Sequence, residues 1–102
     1  MTVKLVVLYT RPADPEAFEK HYLDVHMPMA VQIPGVQRAE TARFVDAPDG
    51  GEVGWYRCAE LYFADADALT AAFGTEQGRA VAADFEAVAP PGSRLLVADI
   101  DA

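Results

Sequence analysis

Val3-Lys4-Leu5-Val6-Val7-Leu8-Tyr9, closed by Arg11-Pro12 and followed by Asp14-Pro15-Glu16-Ala17-Phe18, is the stretch that decides the fold. The first run is aliphatic and β-branched with little polar alternation, which predicts a strand buried on both faces. Asp14 is then placed to cap a helix, Pro15 suits its first position, and Glu16 favours its dipole. Phe18, Tyr22, Val25 and Met29 recur at helical spacing and predict the stripe that faces the sheet. Pro28 lacks an N–H and disfavours helical geometry at Met27, so the helix is expected to end or kink there.

Reading outward, Ile33-Pro34-Gly35 is a turn, and a second strand is expected over Val36–Val45, with looser alternation. Residues 46–54 read as a flexible hairpin connection. The third strand, Trp55–Phe63, alternates: Trp55, Arg57, Ala59, Leu61 and Phe63 share one face, and Tyr56, Cys58, Glu60 and Tyr62 the other. Asp65 caps a short helix carrying Leu69, Ala72 and Phe73 that ends at Gly74. Thr75 starts another, with Val81, Phe85 and Val88 on one side, which Pro90-Pro91-Gly92 stops before a last apolar strand, Arg94–Ile100.

This β-α-β-β-α-β order is the split βαβ arrangement: an α+β, ferredoxin-like domain over residues 1–102, with helices on one face of an antiparallel sheet. Strands one and four are apolar on both faces, yet the helices can cover only one. The other face carries Val6 and Leu8 with Tyr56, Glu60 and Tyr62, and would be an aggregation hazard on a monomer. Pairing two sheets face to face removes the hazard, so a homodimer is expected.

Composition narrows the function. The net charge is −8, with five basic and seven acidic side chains in residues 1–50 and three and nine in residues 51–102. No Lys/Arg cluster is available to neutralise a phosphate backbone, so nucleic acid and anionic membrane surfaces are poor partners. Cys58 is alone, which leaves neither an intrachain disulfide nor a cysteine metal motif. The N-terminal apolar run is about six residues long and reads as a strand rather than a signal peptide. No stretch approaches the roughly 18 apolar residues of a membrane helix. The expectation is a cytoplasmic protein.

Several segments together resemble the EthD family of the dimeric α/β-barrel superfamily. They are Lys4-Leu5-Val6-Val7-Leu8-Tyr9 running into Arg11-Pro12, and Phe18-Glu19-Lys20-His21-Tyr22 leading to His26-Met27-Pro28-Met29-Ala30. Further on stand Ile33-Pro34-Gly35, Ala59-Glu60-Leu61-Tyr62-Phe63, and Thr75-Glu76-Gln77-Gly78-Arg79 leading to Asp84-Phe85. The His-x-Pro element ahead of Ile-Pro-Gly is the most specific. The resemblance implies two ferredoxin-like units whose sheets close into a barrel, with a pocket between sheet and helices. In the related methylmuconolactone methylisomerases the helix-one histidine corresponds to His26, but the companion tyrosine position holds Ala39, which argues against that reaction.

His26 is the sharpest candidate for chemistry. It stands in the last helical turn, about 80° from Phe18 around the wheel and so at the flank of the buried stripe. A histidine there can act as general acid or base near neutral pH, against the plainer reading of a helix-end residue bonded to backbone. Tyr22, one turn earlier, and Tyr62, Glu60 and Tyr9 on the strands are candidate substrate-binding residues, each more ordinarily a packing residue. His21 lies about 140° from His26 on a regular helix, so the two cannot share a metal, and no metal site is expected. No cofactor is called for, although His26 as a haem ligand is a weaker third reading. Two functions follow. One is cofactor-free oxygenation or isomerisation of a small apolar metabolite (aromatic, quinone-like or lactone), with His26 as acid/base. The alternative is a non-catalytic dimeric binding or accessory protein of a degradation pathway.

Overall fold

The computed structural model describes residues 2–51 and 54–101; the expectation for Glu52-Val53 in the hairpin connection falls outside them. Strand β1 (Val3–Tyr9) leads into a helical stretch made of α1 (Pro15–His21), a π-helical turn (Tyr22–His26) and α2 (Met27–Ala30). Then come β2 (Arg38–Arg43), β3 (Arg57–Phe63), α3 (Ala66–Ala72), α4 (Glu76–Val88) and β4 (Arg94–Asp99). The strands form one antiparallel sheet in the order β2-β3-β1-β4, which is the ferredoxin-like arrangement.

The caps are those the sequence calls for. Asp14, Asp65 and Thr75 accept from the backbone N–H groups of Ala17, Ala68 and Gly78, satisfying donors that a helix start leaves orphaned. Gly78 has a second duty. A Cβ there would lie 2.1 Å from the Ala72 carbonyl oxygen, so the end of α3 can meet α4 only over a bare Cα.

Register fixes the two faces. Leu5 stands between Leu61 and Val97, and Val7 between Ala59 and Leu95. Val3, Leu5, Val7, Tyr9, Arg57, Ala59, Leu61 and Phe63 are buried under the helices, where they meet Phe18, Tyr22, Ala30, Ile33, Ala72 and Val81. The helices stop short of β4, and Leu95 and Val97 on the same face are 54% and 60% exposed. Leu96, on the open face beside Val6, is 42% exposed.

Two expectations need correction and a third is narrowed. Strands β2 and β3 are regular over fewer residues than their composition suggested, although Gln37 N–H still donates to Tyr62 O and Phe44 N–H to Tyr56 O. Tyr56 precedes the regular strand and leaves the open face: its ring meets Phe18 of α1 edge-on at 5.9 Å. Of the two courses expected at Pro28, an end or a kink, helix one does not end there; it is distorted by a widened turn ahead of the proline and continues to Ala30.

Candidate functional site

The widened turn positions the site. Met27 N–H donates to the Tyr22 carbonyl, five residues back, in place of the usual four. In a regular α-helix the Pro28 ring would collide with the Asp24 carbonyl; opening the turn relieves that contact, and Pro28 then sits at the start of α2, where its missing N–H costs nothing. The side-chain phase changes with it. Four α-helical residues overshoot a full turn by about 40°, and the extra residue of the π turn takes that drift back. The buried row therefore runs Phe18, Tyr22, His26, Ala30, while Val25, expected in the stripe, is 41% exposed. His26 moves from the flank of the stripe into it.

His26 is 5% exposed, with its ring stacked on Tyr22 at 5.7 Å between centroids and 18° between planes. Its Nδ1 lies 2.7 Å from Oδ2 of Asp84, on α4. His21 Nε2 lies 2.9 Å and 3.0 Å from the two oxygens of the same carboxylate. Asp84, an acceptor on both sides, thus ties the helical stretch to α4 through two imidazole N–H donors. Burial works to raise the Asp84 pKa, but the hydrogen bonds from His21 and His26, with their charges, outweigh it and hold the carboxyl below its ordinary value. With Nδ1–H donated to Asp84, neutral His26 carries its lone pair on Nε2, for which no hydrogen-bond partner is found among the described residues. A carboxylate that fixes an imidazole's tautomer and stabilises its protonated form is the orienting half of a general acid/base pair.

Beside this pair lies a second polar cluster. Arg57, 5% exposed on β3, forms a forked pair with Glu19 of α1 (Nε–Oε2 3.1 Å, Nη2–Oε1 2.9 Å). Its Nη1 also donates to Thr41 Oγ1 at 2.8 Å, and its guanidinium covers the Tyr22 ring at 4.6 Å. Thr41 donates its single proton to Cys58 O, so the 2.6 Å contact with Tyr22 is a phenol O–H donated to Thr41. Burial raises the Tyr22 pKa, against the opposing pull of Thr41 and Arg57. Tyr22 is therefore a committed donor with its ring fully covered. No fully buried side-chain nitrogen or oxygen among the described residues is left without a partner, so the unpaired Nε2 of His26 lies at the accessible edge of its ring.

The other candidates divide across the sheet. Tyr9 belongs with His26: it is 1% exposed, edge-on to Phe18 and Tyr22 at 5.5 Å and 5.3 Å, and burial raises its phenol pKa strongly. It faces the helices, not a barrel interior. Glu60 and Tyr62 lie on the opposite face, so they share no space with His26. There Lys4 Nζ binds Glu60 Oε2 at 2.6 Å, the Tyr62 hydroxyl donates to the same oxygen at 3.3 Å, and Lys4 and Arg38 flank the Tyr62 ring. Cys58 is half-buried, and burial pushes its thiol up, which suits an inert thiol. No set of three His, Cys, Asp or Glu side chains among the described residues is placed to hold a metal ion.

Asp84 is the residue that sequence reading passed over as a functional group. It lies 58 residues from His26, and Asp84-Phe85 entered the sequence reading only as the end of a segment resembling the EthD family, with no role given to it. The available signal was its helical phase: three residues after Val81 and one before Phe85, it stands on the flank of the buried side of α4. His21, set aside because a regular helix turns it away from His26, reaches the same carboxylate across the widened turn. One surface groove is lined by Arg11, Trp55 and Tyr56 among others and another by Val3, Asp65 and Asp99, and neither touches His26.

Comparison with known proteins agrees with this architecture. The EthD domain model matches residues 10–89. A curated relative, the uncharacterized 11.0 kDa protein in the thcB-thcC intergenic region of Rhodococcus erythropolis, is 35% identical over 96 residues, covering 94% of this chain and 92% of the relative. The crystal structure of an EthD family protein from Bacillus halodurans superposes with a TM-score of 0.92 at 34% identity, over 99% of this chain and 100% of that one. The fold alone is shared with the hydroxynitrile lyase of Passiflora edulis (TM-score 0.80, 11% identity, 98% and 94% coverage). It is likewise shared with a dimeric ferredoxin-like protein of unknown function from Jannaschia sp. (TM-score 0.73, 12% identity, 98% and 100% coverage). On the family match and the full-length likeness to the Bacillus and Rhodococcus proteins, the chain belongs to the EthD family.

Proposed function

We propose that this EthD protein is a homodimer that performs cofactor-free proton-transfer chemistry on a small, largely apolar metabolite, with His26 as the acid/base. The carrying observation is the 2.7 Å contact between His26 Nδ1 and Asp84. It leaves Nε2 as the basic atom and supports the imidazolium that forms when that atom takes a proton. Abstraction of a proton from an activated C–H or O–H by Nε2 is the step that isomerisation and cofactor-free oxygenation have in common. Return of that proton to a different atom completes an isomerisation. The hydroxynitrile lyase with the same fold shows the scaffold to be compatible with enzyme chemistry in another protein. Tyr9, Phe18 and Tyr22 form the packed aromatic backing of the imidazole, and Tyr22 is not a hydroxyl donor to substrate, because its O–H is held by Thr41.

The dimer half of the proposal rests on the open sheet face, where Val6, Leu8, Tyr62 and the exposed Leu96 are left without a covering layer. The dimeric protein from Jannaschia supports it by fold.

Solvent deuterium exchange tests the chemistry without knowledge of the product. The protein is incubated in D₂O with a set of lactones, quinols and activated carbon acids, and deuterium incorporation is followed by NMR. Exchange above the buffer rate with at least one compound is expected, falling on the order of 100-fold or more in His26→Gln. Exchange unaffected by His26→Gln, or absent throughout the set, would remove His26 from the role.

The close packing around His26 favours a second reading, a non-catalytic binding or accessory protein, since neither surface groove reaches the imidazole. Native mass spectrometry separates the two: a retained small molecule with no turnover on it belongs to the second.

A further inference from the structure

Away from His26, the side chains at the other end of the helical layer form a site of different chemistry. An open groove of about 900 Å³ lies between the β1–α1 connection and the segments flanking β2 and β3. Arg11 and Arg43 line it together with Phe44, Trp55 and Tyr56, and Asp46 stands at its edge. This chain has eight basic residues against sixteen acidic ones. Among the described residues Lys4, Arg38 and Arg57 form salt bridges, whereas Arg11 and Arg43 form none. Among the described residues, therefore, two guanidiniums without a salt bridge line one groove of an acidic protein.

The groove has aromatic walls to match. The Arg11 guanidinium lies 5.8 Å from the centre of the Tyr56 ring, whose other contact, with Phe18 at 5.9 Å, backs it against the core. The Tyr56 backbone is pinned by its N–H donated to Tyr9 O at 2.8 Å and its carbonyl accepting from Phe44 N–H at 3.0 Å. Burial and Glu19 push the Tyr56 phenol up while Arg43 draws it down. Glu19 is held by Arg57, and among the described lining residues the two guanidiniums face one carboxylate, Asp46.

We propose that this groove binds a small aromatic monocarboxylate, with Arg11 and Arg43 holding the carboxylate and Trp55, Phe44 and Tyr56 taking the ring. A planar fork matches a carboxylate with two parallel hydrogen bonds, and a guanidinium already resting on an aromatic face keeps its edge donors free for that use. The site is separate from His26, and the acid/base proposal stands or falls without it.

Trp55 is the single tryptophan of the chain, so its indole N–H gives one resonance in a ¹H–¹⁵N spectrum and reports the groove alone. Titration with benzoate is expected to shift that resonance saturably at millimolar concentrations. Benzamide, which keeps the ring without the charge, and acetate, which keeps the charge without the ring, are each expected to bind at least 10-fold more weakly. Arg11→Gln and Arg43→Gln are expected to weaken benzoate at least 10-fold while the rest of the spectrum stays in place. An unmoved Trp55 resonance, benzamide binding as well as benzoate, or full binding in both arginine variants would overturn the proposal. The comparison of the three probes needs no variant, so it decides the matter even where a substitution fails to fold.

Discussion

At the scale of single residues, Asp84 is the most telling position, because one carboxylate serves two histidines from different turns. Its folded pKa lies below the ordinary value, so it contributes stability that is present above the unfolded-state pKa and lost as pH falls through the folded one. Asp84→Asn is expected to cost about 1.5–3 kcal/mol near neutral pH, as loss of hydrogen bonds to a charged group does. It should also flatten the decline in stability below about pH 4. Urea unfolding at neutral and acid pH checks both; an unchanged acid limb would mean that Asp84 is no more held than a surface carboxylate. The phenols behave in the opposite sense. Burial raises Tyr9 and Tyr22, so they oppose ionisation, and stability falls as pH rises past the ordinary tyrosine value near 10. Spectrophotometric titration should find Tyr9 and Tyr22 ionising only as the protein unfolds.

At the scale of elements, the helical stretch shows what sequence can and cannot carry. Phe18 and Tyr22 were legible as core from α-helical spacing, and both are buried. Phe18→Ala is expected to cost about 3–5 kcal/mol by urea titration; a change under about 1 kcal/mol would contradict its place among Tyr9, Tyr22 and Tyr56. Beyond Tyr22 the same spacing fails, since a wheel drawn at 100° per residue assigns Val25 to the core and leaves His26 at its flank. Pro28 signalled that something must give, but not whether the helix would stop or widen. Widening keeps the backbone bonds satisfied and puts the imidazole inside. Asp84 was illegible for another reason: its partner is on a different element, and single-sequence periodicity carries no pairing information. The junction of α3 and α4 holds a test of its own. Gly78→Ala pushes a methyl into the Ala72 carbonyl and is expected to destabilise by about 1–3 kcal/mol, reversing the usual preference for alanine in a helix.

At the scale of the whole molecule, the sheet divides two kinds of polar chemistry. The order of strands and helices and the alternation along β3 were readable from composition and spacing. The placing of Glu60 and Tyr62 on the open face was readable as well, whereas the sorting of Tyr9 and Tyr56 to the helix side needed the structure. The open face is where a second copy is proposed to pack, and an interface of that kind buries on the order of 2,000 Å². Sedimentation at micromolar concentration should show a dimer, and Leu96→Asp should shift it towards monomer; a compact monomer for the parent chain would remove the barrel. The helix side depends on the His26–Asp84 bond, which fixes the tautomer that proton transfer requires. Long-range ¹H–¹⁵N correlation of the imidazoles measures that bond directly. Neutral His26 should carry its proton on Nδ1, and should revert towards the Nε2–H tautomer in Asp84→Asn. A His26 that carries its proton on Nε2 in the parent protein, or one indifferent to Asp84→Asn, would contradict the assignment of His26 as an oriented base.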